Sequence, residues 1–537
     1  MLNIKIKYFF RIFEKYQLFF YLAVFLILVI IFYPKYYLII DEHHIARTSY
    51  LLANNFTTKV YDPLYSTIFN IASDGAYSSK YPIGLPLLLA PLMKLGFDYI
   101  FLLNIILHIA AFYCFYLILE KKSIPRIYST LYLLYPFFVY YSFTLFADYS
   151  AASLLMIYSY FHLYSKNKYR GYILGLIASI MLFIRPLIMI FIPFFYIGNI
   201  IEVLKNFSNK FSKNLYQKKS LELNISNKQI FQASAIFIPL LIIFLAIFFK
   251  NILVGYAASD VGDNLTIFDN KEPLFDFFRY LFYQIIGLSI FFPLMLLIIF
   301  KNIKKHYVWA VIFYIFFFSF VDYTGNVTKI TSPYNLVRNI RYLMPAIILL
   351  LPDYCFELDK FIRKIFKKET AIKSAIAVIL VLLILSSALL LYLHNQATSR
   401  NRIFVDDIYS NTAQEGLIVS NTLAMFLQDS FGDRKYLGFD DYGNTVDGKF
   451  LQSLPGHNIS LDYIIENIEK YPSYIAITKS KNINDFNSTN ENLQFLIKRY
   501  NGKLIYNKDY SCNRCLGAVD TISVSLYKLD ESGKGKK

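Results

Sequence analysis

Four consecutive residues, Asp41-Glu42-His43-His44, follow directly on the apolar run Phe19 to Ile40 and form a dense set of groups able to move a proton or hold an ion. A carboxylate where a helix leaves the membrane can take a proton from a bound hydroxyl, or it can be charge at a helix end meeting water. Position alone leaves both open. Farther along the same loop, Ser79-Lys80-Tyr81-Pro82-Ile83-Gly84-Leu85-Pro86 sets a lysine beside a short apolar segment punctuated by proline. An ammonium at headgroup depth can hold a lipid phosphate, or it can anchor the loop to anionic lipid. An acid and a cation at one membrane face suit transfer from a phosphate-linked lipid. Metal binding by the four adjacent residues is disfavoured, because positions i and i+4, not i and i+1, share a helix face. No cofactor is expected.

The elements that must position these groups are membrane spans. With 56% hydrophobic and 17% charged residues over 537 positions, the chain is too apolar for several soluble domains of that length. The formal charge of +17 sits in short clusters between apolar runs, which reads as topology signals beside lipid headgroups and not as a nucleic-acid surface. After Phe19 to Ile40, apolar runs follow at 99–119, 126–143, 149–165, 171–184, 186–201, 231–252, 277–300, 307–322, 341–357 and 372–394. They predict an α-helical polytopic membrane protein of about eleven spans. The clusters at Glu120 to Arg126, Ser165 to Arg170, Lys205 to Lys228, Lys301 to Lys305 and Arg363 to Lys368 then all fall on the cytoplasmic side. This predicts a cytoplasmic N-terminus, an external first loop over 41–97, and a multi-pass protein of the cell (plasma or inner) membrane. Ile83 to Leu95 is short and proline-rich and is read as interfacial or re-entrant, since a crossing there would invert every later loop.

Two domains are expected: a membrane domain over 1–394, and a soluble extracytoplasmic α/β domain over 395–537. Within the second, Leu461 to Lys470 has a helical pattern, Tyr474 to Thr478 a β-rich one, and Ile522 to Leu529 alternates with a period near two. Cys512 and Cys515 can close a small disulfide loop in an oxidising exterior, with no second such pair to complete a zinc site.

In order along the chain stand Asp41-Glu42 at the first helix exit with Ala46 to Ala53 downstream, then Lys80-Tyr81-Pro82 to Pro86, and Ala147-Asp148 opening a helix. Ile184-Arg185-Pro186 and Arg341-Tyr342-Leu343-Met344-Pro345-Ala346 follow. Over about the first 360 residues this order resembles the GT-C glycosyltransferases, in the bacterial branch related to dolichyl-phosphate-mannose protein mannosyltransferases and aminoarabinose transferases. The resemblance implies a GT-C-like bundle moving a sugar from a polyprenyl-phosphate carrier to a lipid, glycan or protein acceptor at the outer membrane face, with inversion at the anomeric carbon.

On that reading Asp41 is the candidate general base. Lys80 and Arg341 are candidates to meet the growing charge of the leaving lipid phosphate. Glu42 and Asp148 would orient the acceptor or tune Asp41, since a neighbouring like charge raises a carboxylate pKa. Each has a plainer rival: Lys80 as membrane anchor, and Arg341 as a snorkelling span end. Arg185, grouped with the phosphate-binding cations, would cost about 2.5–3.5 kcal/mol near the bilayer centre, so it belongs at a turn facing the active-site side or paired inside the bundle. Two other classes of function compete: a transporter of polyprenyl-linked glycan or lipid, and a non-catalytic scaffold that binds a lipid-linked glycan. The transporter would want sites near the midplane of paired repeats, which the one-sided cluster of charged candidates does not supply.

Overall fold

The computed structural model describes residues 2–65, 70–71, 76–79, 81–195, 227–254, 273–320, 340–420, 434–438, 461–480, 487–511 and 521–530. Helix α1 (Leu2–Phe32) ends ahead of Pro34, and 33–39 is non-helical. Proline removes a helical N–H and pushes the residue before it toward extended backbone, so the first helix stops at Phe32 and not at Ile40. After it come α2 (Ile40–Asn55), a three-stranded antiparallel patch of β1 (Lys59–Val60), β2 (Asn70–Ile71) and β3 (Tyr77–Ser78), and α3 (Gly84–Leu95). Next are α4 (Leu102–Lys121), α5 (Thr130–Leu133), α6 (Pro136–Ser142), α7 (Ala147–Leu163) and α8 (Arg170–Ile184). The rest of the bundle is α9 (Asn227–Val254), α10 (Pro273–Phe291), α11 (Met295–Lys301), α12 (His306–Phe318), α13 (Met344–Ile365) and α14 (Glu369–Ser410).

Among the described residues two helices are long and apolar enough to cross a membrane, Phe97–Lys121 and Glu369–Ser410, and shorter apolar helical stretches include Tyr16–Phe32, Gln232–Ala246 and His306–Phe318. Proline explains much of the difference from the apolar runs. The run over 126–143 is not one helix but a 3₁₀ turn, α5 and α6, broken ahead of Pro136, and 277–300 divides into α10 and α11 around Pro293.

Helix α7 is the centre of the bundle. It packs on α4, α8 and α13 and is buried over most of its length, from Asp148 to His162. Two contacts of backbone on backbone fix its surroundings. A Cβ on Gly84 would lie 2.4 Å from the Phe183 carbonyl carbon and 2.6 Å from Ile184 N, so only glycine lets the start of α3 rest on the end of α8, one residue before Arg185. A Cβ on Gly175 would lie 2.5 Å from Ala233 O, which seats α8 on α9 in the same way.

Helix α14 continues sixteen residues beyond His394 and carries the chain straight into a five-stranded sheet. Its strands are β4 (Leu417–Ser420), β5 (Lys435–Gly438), β6 (Ser473–Ser480), β7 (Lys503–Ser511) and β8 (Thr521–Lys528), in the order β5-β4-β6-β8-β7, with β5, β4 and β6 parallel. The elements read from helical pattern, β-rich composition and alternation are present as α15 (Leu461–Lys470), β6 and β8, joined by α16 (Asn487–Arg499). Cys512 and Cys515 lie outside the described residues.

The junction is tied at several points. Arg434 caps the end of α14 through Tyr409 O at 3.2 Å and Ala413 O at 3.1 Å, and Asp407 accepts hydrogen bonds from Lys508, Tyr506 and Tyr510 on β7. Leu64, from the loop after α2, is buried in the sheet domain's own core with Leu417, Ile475 and Leu493. The tail of α14 also reaches back: Asn395 donates to Tyr33 O and Asn401 to Tyr37 O, both at 3.2 Å, fixing the segment that leads into α2.

Candidate active site

Helix α2 begins without a side-chain cap from Ile39. The job falls to its third residue instead: Glu42 Oε2 accepts from Leu38 N at 2.8 Å and Ile39 N at 3.3 Å, reaching back over the unsatisfied first turn. Its other oxygen, Oε1, accepts from Leu145 N at 3.0 Å, across 103 residues. Three backbone donors occupy a carboxylate that is 1% exposed. Burial pushes this carboxyl up to about 7, against the pull of the Leu145, Leu38 and Ile39 amides and with Asp41 adding to the rise. The carboxylate expected to be catalytic or to orient the acceptor is engaged here as a staple that pins the start of α2 to the strand of chain entering α7. Asn104 holds the same strand, donating to Thr144 O at 2.6 Å while accepting from Ser150.

One helical position earlier, about 100° around the axis, Asp41 faces the other way. Its Oδ1 accepts from the Tyr81 phenol at 2.6 Å and its Oδ2 from Arg341 Nη2 at 2.8 Å. Burial first, and then the Asp41 carboxylate, hold the Tyr81 phenol well above its usual range, so it stays a donor. The Arg341 guanidinium is 5% exposed, lies over the Phe146 and Tyr342 rings, and gives Nη2 also to the Tyr342 hydroxyl at 2.7 Å. Its Nε stands 3.7 Å from Asp148 Oδ2, and Asp148 Oδ1 pairs with Arg185 Nε at 2.7 Å.

The result is an alternating line of charge, Asp41, Arg341, Asp148, Arg185, contributed by α2, the turn before α13, α7 and the junction after α8. Each buried charge has an opposite neighbour, which is what makes its desolvation tolerable. Arg185 is paired inside the bundle, and Arg341 is buried too deeply to be a snorkelling span end. Asp41, Asp148, Arg185 and Arg341 thus meet in space, while Glu42 turns away and Lys80 lies outside the described residues. His43 stacks on Tyr37 and His44 meets Tyr81 edge-on, so the four residues of the acidic-histidine run diverge.

Two participants had no separate signal in the sequence. Tyr81 and Tyr342 lie inside the quoted motifs, but among 47 tyrosines nothing distinguishes the phenol that grips Asp41.

No family model matches this sequence, and no curated relative matches it. The fold does match solved structures. ArnT from Cupriavidus metallidurans in the apo state superposes with a TM-score of 0.53 over 97% of this chain and 99% of that one, at 10% identity. The crystal structure of ArnT from the same organism bound to undecaprenyl phosphate gives 0.51 at 9% identity, with the same coverage. The chain therefore has the ArnT fold.

Proposed function

We propose that this chain, built on the ArnT fold, is an inverting glycosyltransferase that moves a sugar from a polyprenyl-phosphate carrier to a lipid, glycan or protein acceptor at the extracytoplasmic membrane face. The observation that carries the reading is the buried line Asp41, Arg341, Asp148, Arg185, assembled from four separate elements. A paired charge line is costly to assemble in a helical bundle, and stability alone does not call for it. The binding of undecaprenyl phosphate by an ArnT of the same fold supports a polyprenyl phosphate as the ligand.

The chemistry follows from the groups. An acceptor hydroxyl loses its proton as its oxygen attacks the anomeric carbon, and Asp41 is the base within the cluster. Attack from the face opposite the phosphate inverts the anomeric carbon in a single displacement. The bond to the phosphate oxygen breaks with its electron pair, and Arg341 and Lys80, with Arg185 behind Asp148, supply positive charge for the phosphate. Asp148 holds the two arginines at a fixed spacing. The same reading carries about eleven spans, a cytoplasmic N-terminus, an inner or plasma membrane location and an external sheet domain.

Orientation is the first thing to test. In a background with the four cysteines replaced by serine, a single cysteine at Thr58 or Ser488 should react with a membrane-impermeant thiol reagent in intact cells, and one at Asn209 should not. Reaction at Asn209 without reaction at Ser488 would put the charge line on the cytoplasmic side and end the proposal.

A further inference from the structure

Both oxygens of Asp41 are engaged, one by Tyr81 and the other by Arg341. A carboxylate held by a phenol and a guanidinium is a poor base, because each donor stabilises its charged form. Arg341 in turn has one unfinished contact: among the described residues its buried Nε has no hydrogen-bond acceptor, since Asp148 Oδ2 at 3.7 Å is an ionic neighbour beyond hydrogen-bond reach. A buried donor left without an acceptor is costly and is satisfied by any anion that fits. A phosphate oxygen approaching the guanidinium edge would supply that acceptor and compete with Asp41 for the same cation.

We infer that Arg341 is shared between Asp41 and the donor phosphate, so that the carboxylate becomes available to the acceptor only once the phosphate has drawn the guanidinium away. This rests on the glycosyltransferase reading and adds an order of events to it. The charges balance through the step. Before transfer Asp41 carries −1 and the phosphodiester −1. As the acceptor oxygen bonds to the anomeric carbon, its proton passes to Asp41, which becomes neutral. The electron pair of the broken carbon–oxygen bond passes to the phosphate, which becomes a monoester of −2. The attraction of Arg341 for Asp41 falls in the same step in which its attraction for the phosphate rises. Proton removal and departure of the leaving group are thereby coupled through one guanidinium, and Tyr81 keeps Asp41 in place while the hand-over occurs.

The test is binding, without turnover. Purified protein in nanodiscs is titrated with undecaprenyl phosphate, with undecaprenol as the uncharged control. Asp41→Asn removes the competing charge and should bind undecaprenyl phosphate about ten-fold tighter than the parent. Arg341→Gln should bind it at least about ten-fold more weakly. In the double variant the gain from Asp41→Asn should vanish. Asp41→Ser removes the same charge with less volume and carries the same expectation if the asparagine variant does not fold. Unchanged or weaker binding by the Asp41 variants would overturn the inference. So would a gain that persists without Arg341, which would reduce Asp41 to long-range repulsion of the phosphate. If the parent itself binds undecaprenyl phosphate no better than undecaprenol, the donor-phosphate reading falls and the inference falls with it. The parent's own behaviour therefore separates the two failures.

Discussion

Asp41→Asn is expected to slow sugar transfer by about 100- to 10,000-fold, the range that a positioned general base supplies. The amide keeps the size of the side chain and its oxygen can still accept from Tyr81, while its nitrogen faces Arg341. The ion pair is therefore lost together with the proton acceptor, and Arg341 keeps Asp148 as its anionic neighbour. The natural control is the neighbouring carboxylate. Glu42→Gln puts an amide nitrogen where three backbone N–H groups need acceptors, so its cost should fall on folding, as a lower melting temperature, while turnover per folded molecule stays close to that of the parent. Equal losses of turnover in the two variants would mean that Asp41 is also structural.

The second large effect is expected at Arg341. Arg341→Gln leaves Asp41 without its cation and Asp148 with Arg185 alone, and truncating one member of a buried pair typically costs about 3–5 kcal/mol. Where the variant folds, transfer should drop by about 100- to 1000-fold, the scale associated with losing one fixed group that meets developing charge. Arg341→Lys should recover part of the stability and little of the rate, because an ammonium cannot reach Asp41, the Tyr342 hydroxyl and a phosphate oxygen together. Full activity in Arg341→Lys would show that only net charge matters there. Steady-state transfer and thermal melting, measured on the same preparations, separate the two effects.

The members of the charge line were legible one at a time. Asp41, Asp148, Arg185 and Arg341 each stand at a helix end or a proline junction, where a charge in an apolar sequence is conspicuous. Their pairing was not legible, because Asp41 and Arg341 are 300 residues apart and nothing local links them. The opposite roles of Asp41 and Glu42 were equally hidden: adjacent residues on a helix differ by about 100° in direction, and only the position of Leu145 N shows which of the two is turned into the protein.

The fold divides in a similar way. Periodicity located α15 and β8, whose patterns are set by one buried face each, and β-rich composition located β6, which is buried on both faces. Apolar content alone ran through Pro34 and Pro136, where the backbone breaks, and ended α14 at His394. There the composition becomes polar, but the helix goes on, held by Tyr33 O, Tyr37 O and the cap at Arg434. Burial of the loop residue Leu64 in the sheet domain's core is a tertiary choice that no window of sequence reports.

Breaking the bond between a sugar and a polyprenyl phosphate is the step proposed for this protein on which every role above depends. The most direct test supplies the purified, reconstituted protein with a polyprenyl-phosphate sugar labelled in both the lipid and the sugar, together with a membrane extract as a source of acceptor. Free polyprenyl phosphate should appear in step with labelled product, the product should carry the opposite anomeric configuration, and both should depend on Asp41. Movement of the intact labelled donor from one leaflet to the other, equal in the parent and the Asp41→Asn variant and with no polyprenyl phosphate released, would contradict the account and identify a transporter instead.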